Sequence, residues 1–198
     1  MSKRIASFEA SYTTSINVPS TIKELEETYR IQVGNADVVV GIYTWDFTYI
    51  DDQYNAIVTE IGNSTIINMQ IMFKYNNNND GIKISFRKYD GPNPKLETNE
   101  AAILTGITST ELGTADISST NKTGLTTDLE DVDTLYYESL LNIVSREFIA
   151  VGIVRHTDLS TSTGTVELSG QNLVGGSSEW KSAGTEPIDP PLLVITYD

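Results

Sequence analysis

The chain carries one histidine, His156. Any serine–histidine–acid relay would have to run through it, with an acid such as Asp158 behind it. No nucleophile elbow accompanies it, so the expectation is a loop histidine and not a catalytic base. The chain has no cysteine, which removes thiolate catalysis, disulfides and cysteine-built metal centres. A single imidazole offers little to a transition metal.

Carboxylates are the more promising group. Asp128-Leu129-Glu130-Asp131-Val132-Asp133 places four acids in six residues. Hard oxygen donors at that density suit calcium, which makes Asp128, Glu130, Asp131 and Asp133 candidate ligands for a structural calcium ion. The stretch lacks the spacing and the glycine of an EF-hand loop. The same charges equally fit a solvated loop at the start of a helix, where negative charge is favourable. Glycoside hydrolysis needs two carboxyl groups at a set separation, and among 27 acids the sequence selects no pair.

Aromatic faces can stack on sugars, and Trp45, Trp180, Tyr43, Tyr89, Tyr136 and Tyr137 could supply them. Trp180 follows the loop Gly175-Gly176-Ser177-Ser178-Glu179 and is the best placed. With Tyr136 and Tyr137 it is the candidate contact to a glycan or to another subunit. Core or inter-subunit packing is the competing use of these rings. Asn63-Ser64-Thr65 and Asn121-Lys122-Thr123 match the glycosylation sequon and are read as chance.

The bulk properties narrow the partners. A formal net charge of -14 and a pI near 4.3 repel nucleic-acid phosphates and anionic lipid. Solubility is the plain use of such charge. No stretch approaches the roughly 18 apolar residues of a membrane helix. Met1 to Glu9 has no apolar run behind its positive charges, so the expectation is synthesis without a signal peptide. The length suits one domain, 1–198, with 1–20 offered as an N-terminal arm.

The elements read mostly as strands. Ile67, Met69, Ile71, Phe73 and Tyr75 alternate with polar residues, and Ile82, Ile84 and Phe86 do the same after the tip Asn76–Gly81. Alternation and the Asp-Gly turn predict a long antiparallel hairpin with one face on a core. Val38 to Trp45 is apolar on both faces, which predicts a central strand covered on both sides; Gly41 within it suggests a bulge or a close approach. Tyr54 to Ile61 reads as a strand or a short helical piece. Residues 95–128 read as a surface excursion or weak edge strands, anchored by Ile103, Leu104 and Ile107. The one helix predicted with an apolar stripe is short and lies near 134–145. A buried strand is expected at Phe148–Val154, and the end of the chain, Pro190 to Tyr197, reads as a β-branched strand opened by prolines. The sum is an all-β, antiparallel β-sandwich of jelly-roll type.

Three segments resemble the DNRLRE-type, disaggregatase-related β-sandwich domains. They are Gly62 to Ile71, Tyr136 to Val154, and Ser177-Ser178-Glu179 followed by Pro191-Leu192-Leu193-Val194-Ile195-Thr196-Tyr197. The family's tryptophan-rich middle is replaced here by a Thr/Ser-rich stretch. The resemblance implies a jelly roll similar to carbohydrate-binding modules. Combined with the absence of a leader and of cysteine, it leads to the expectation of a non-enzymatic virion structural protein, of a bacteriophage: an auxiliary capsid, decoration, fibre or tail component. Such a protein docks onto other virion proteins or copies of itself, and assembles in the host cytoplasm. Residues 98–127 and the N-terminal arm are the expected contacts. The alternative expectation is an extracellular carbohydrate-binding module that uses Trp180.

Overall fold

The computed structural model describes residues 2–17, 30–33, 39–46, 52–76, 82–117, 123–126, 129, 148–156, 166–169 and 190–198. Eleven strands and two helices are found there: β1 Arg4–Glu9, β2 Tyr12–Asn17, β3 Arg30–Val33, β4 Val39–Asp46, α1 Asp52–Gly62, β5 Ile66–Asn76, β6 Ile82–Tyr89, α2 Glu100–Gly106, β7 Ile107–Ile117, β8 Thr123–Leu125, β9 Phe148–Arg155, β10 Val166–Ser169 and β11 Leu192–Tyr197. Every pairing is antiparallel. One sheet runs β1-β11-β5-β10-β3 with β8 also on β5, and the other runs β2-β4-β9-β6-β7. The expected all-β sandwich is therefore the architecture. The runs β3-β10-β5-β8 and β4-β9-β6-β7 have jelly-roll connectivity, in which the chain crosses between two sheets at almost every step.

That connectivity corrects the predicted hairpin. The alternation in Met69–Tyr75 and Ile82–Phe86 does put one face of each strand on the core, and all seven of those apolar side chains are buried. The two strands do not pair with each other, however. β5 pairs with β11, β10 and β8, while β6 pairs with β9 and β7. They face each other across the sandwich, with the Phe73 and Phe86 rings 5.5 Å apart. Period-two alternation specifies a half-buried strand and is silent about its neighbour. Ile67 departs from the pattern and is 40% exposed, beside a register irregularity at Thr196/Tyr197.

The N-terminal stretch is not an arm that reaches outward. β1 forms an edge of one sheet against β11, and β2 forms an edge of the other against β4. Phe8 and Ala6 enter the main core and Ile16 enters a second cluster. β4 is the covered central strand the sequence predicts. Tyr43 and Trp45 face the main core, while Val40 and Ile42 face the outer cluster. Gly41 sits in unbroken register with Ser15 and Ile153, so no bulge occurs there. The irregular steps fall between Phe86 and Tyr89 instead.

Residues 95–117, expected as an excursion or weak edges, hold α2 and the eleven-residue edge strand β7. Asn99 caps α2, its Oδ1 accepting from the Ala101 and Ala102 N–H groups at 3.1 and 3.4 Å. Ile103 then packs with Ile16, Val40, Ile42, Tyr89 and Ala150 on the outer face of the five-stranded sheet. Ile107 lies over Gly152, where an added Cβ would meet Ile107 Cγ2 at 2.5 Å. That close approach is what this glycine permits. Tyr54–Ile61 is helical, within α1. Ile61 is buried in the main core, and the Asn63 and Ser64 side chains donate to the Thr59 and Glu60 carbonyls at its end. The helix predicted near 134–145 lies outside the described residues.

Candidate functional site

Three places on the described surface bring polar or uncharged groups together. The first is a cluster on β6, β7 and β9. Ser85 is fully buried and its Oγ donates to Glu111 Oε2 at 2.5 Å. His156 Nε2 is 3.4 Å from the same oxygen and Arg87 Nη2 is 3.8 Å from it. Arg87 Nη1 also donates to the Ser109 carbonyl at 2.5 Å. His156 is thus placed beside an acid of β7, Glu111; Asp158 lies outside the described residues. The order of the groups matters. In a nucleophilic relay the imidazole stands between hydroxyl and acid and takes the hydroxyl proton. Here the carboxylate stands between hydroxyl and imidazole, so Ser85 is held by an acceptor that only fixes it. The arrangement ties the edge strand β7 to β6 and to the residue after β9. Sequence reasoning missed Ser85 and Glu111, which are 26 residues apart and meet only through the β6–β7 pairing.

The second is a surface cleft of about 370 Å³ lined by Ser2, Arg4, Glu60, Ser64, Tyr197 and Asp198. Arg4 and Glu60 form an ion pair there, joining β1 to the last turn of α1. A cation and its counter-charge already satisfy each other in this cleft.

The third is the outer face of the six-stranded sheet. The registers of β1, β11 and β5 align three cross-strand rows: Ile5–Thr196–Asn68, Ser7–Val194–Gln70 and Glu9–Leu192–Met72. Glu9 is the one charged residue among them, in a chain whose residues are 20% charged. Ile5 is 71% exposed and Met72 38%. Leu192, Val194 and Thr196 are half-buried. Side chains in such rows pack against their cross-strand neighbours, and β1 is the edge of the sheet.

The sequence-predicted site residues fare differently. Trp45, Tyr43 and Tyr89 are not a sugar platform: all three are buried. Trp45 Nε1 donates to the Phe8 carbonyl at 3.0 Å and its ring meets Tyr43 edge-on at 6.2 Å. Tyr89 donates its hydroxyl to the Pro92 carbonyl at 2.7 Å. Burial, and then the charge of Glu97, push the Tyr89 phenol well above its ordinary range. Asp128, Glu130, Asp131, Asp133, Tyr136, Tyr137 and Trp180 lie outside the described residues. Leu129, within the acidic stretch, is buried, and its N–H donates to the Met69 carbonyl at 2.7 Å. Among the described residues no group of three or more His, Cys, Asp or Glu is arranged to hold a metal ion, and no helix is long and apolar enough to cross a membrane. No protein-family model matches the chain, and no curated protein matches it.

Proposed function

We propose that this chain is a non-enzymatic structural module of a virus particle, an auxiliary capsid, decoration or fibre component, and that it works by protein–protein docking. The observation that carries the docking reading is the outer face of the six-stranded sheet. Interface centres are depleted of charge, and the rows around Val194 carry a single charged residue, Glu9, in a strongly acidic molecule. Jelly rolls recur in viral capsids, which supports the assignment to a particle, and they recur in lectins as well. The aromatic side chains that would favour the sugar reading on the described surface are inside it instead. The candidates for a glycan site remain Trp180, Tyr136 and Tyr137, outside the described residues.

Light scattering over a concentration series, with and without calcium, tests the proposal together with Val194→Lys. The expected result is a stable assembly that Val194→Lys dissociates while the thermal midpoint stays nearly unchanged, since surface substitutions usually cost within about 0.5 kcal/mol. A monomer at every concentration, unaffected by Val194→Lys and retained on a glycan array, would replace docking by carbohydrate binding. A dependence of mass on calcium would bring Asp128, Glu130, Asp131 and Asp133 into the assembly.

A further inference from the structure

Glu100 opens α2, faces inward and is 1% exposed. Neither of its carboxylate oxygens has a hydrogen-bond partner. The helix N–H groups nearest to it are already taken, because Asn99 Oδ1 accepts from both Ala101 and Ala102. Two further buried atoms without partners, Thr44 Oγ1 and Asn93 Nδ2, belong to the elements around it. Thr44 lies two residues beyond Ile42, against which Ile103 of the same helix packs. Asn93 belongs to the segment that Lys95 ties to Asp46 at the end of β4, at 3.8 Å.

Among the described residues, the titratable groups of the surrounding elements give Glu100 no counter-ion. Asp46 on β4 is paired with Lys95. Lys88 on β6 is 3.6 Å from Asp90. Tyr89 on β6 is committed to Pro92, and Glu97 in the preceding turn accepts from the Asn99 N–H. β2 offers Tyr12. The outer positions of β9 are Phe148, Ala150, Gly152 and Val154, none of which titrates. A carboxylate buried without a donor or a cation is costly while it is charged, and protonation removes most of that cost.

We propose that residues 90–106 form a proton-controlled strap over the outer apolar cluster: α2 is seated while Glu100 is protonated and loosens from the five-stranded sheet when Glu100 ionises. The apolar contacts of Ile103, Leu104 and Ile107 supply the seat, and Gly106 closes its far end against Tyr89 and Gly91, with no room for a Cβ. Desolvation raises the Glu100 carboxyl above its ordinary value of 4.5. A folded-state value above the unfolded one means that the seated form binds the extra proton. Its stabilisation is complete below the ordinary carboxylate range and is lost as pH rises through the raised value.

Amide hydrogen exchange on the full chain between about pH 5 and about pH 8, corrected for the intrinsic rate, tests this. In the wild type, protection of residues 101–106 should fall with rising pH, by up to about tenfold per unit through the raised range, while β4 and β9 hold theirs. Glu100→Gln should remove that slope and keep α2 protected throughout. Ile103→Ala should lower protection at every pH without changing the slope. A flat wild-type profile, or a slope that survives in Glu100→Gln, would overturn the proposal: the carboxyl then turns out to water, or another group governs the strap.

Discussion

Ser85 Oγ donates to Glu111 Oε2 at 2.5 Å across the β6–β7 pairing, and His156 Nε2 and Arg87 Nη2 lie 3.4 and 3.8 Å from the same oxygen. A histidine-centred relay would need the imidazole in that place. Ser85→Ala removes a buried hydroxyl bonded to an ion and should cost about 1.5–3 kcal/mol, read as a lower urea midpoint at unchanged m-value. Hydrolysis of an activated ester that disappears in Ser85→Ala would instead establish a catalytic serine.

Trp45 fixes the corner where β4 passes β1. Trp45→Phe keeps an aromatic ring but removes the Nε1 hydrogen bond to the Phe8 carbonyl, at about 0.5–1.5 kcal/mol. Trp45→Ala adds a cavity against Tyr43 and should cost about 3–5 kcal/mol. At about 2–4 °C per kcal/mol for a chain of this size, calorimetry separates the two.

Tyr89 should stay un-ionised until the protein unfolds in alkali. Its raised folded-state value means that its stabilisation is complete below the unfolded phenol range and is lost as pH climbs through the folded one. Spectrophotometric titration should show a late-ionising phenol fraction that appears together with loss of structure, Tyr89 among it. Tyr89→Phe should lower the amplitude of that late fraction by one phenol and, through the lost bond to Pro92, lower stability by about 1 kcal/mol.

β5 and β6 should not form a hairpin on their own. A peptide of residues 65–89 should show no cross-strand contacts by NMR, because the partners of both strands lie elsewhere in the chain. The intact protein should refold in the slow class of non-local β topologies, milliseconds to seconds by stopped flow. Paired resonances between Ile71 and Ile84 in the peptide would contradict the crossover.

Composition and periodicity determined the strand-rich class, the inward faces of β5 and β6, and the doubly covered β4. Each of those properties is written locally, in which residues alternate and which do not. The Asn99 cap and the helix behind it went unread, because seven residues of helix among threonines carry too little apolar periodicity to stand out. The partner of each strand was decided only in three dimensions. The same alternation serves a hairpin or a sheet-to-sheet crossover, and the choice rests on which faces fill the space between the sheets, as Phe73 and Phe86 do. The functional groups follow the same rule. Glu111 was one acid among 27 until β7 paired with β6, and Glu100 became a buried, unpartnered carboxyl only when Ile103 seated α2 on the sheet. Burial and long-range register set the chemistry of such groups, and neither is encoded within a few residues of the side chain itself.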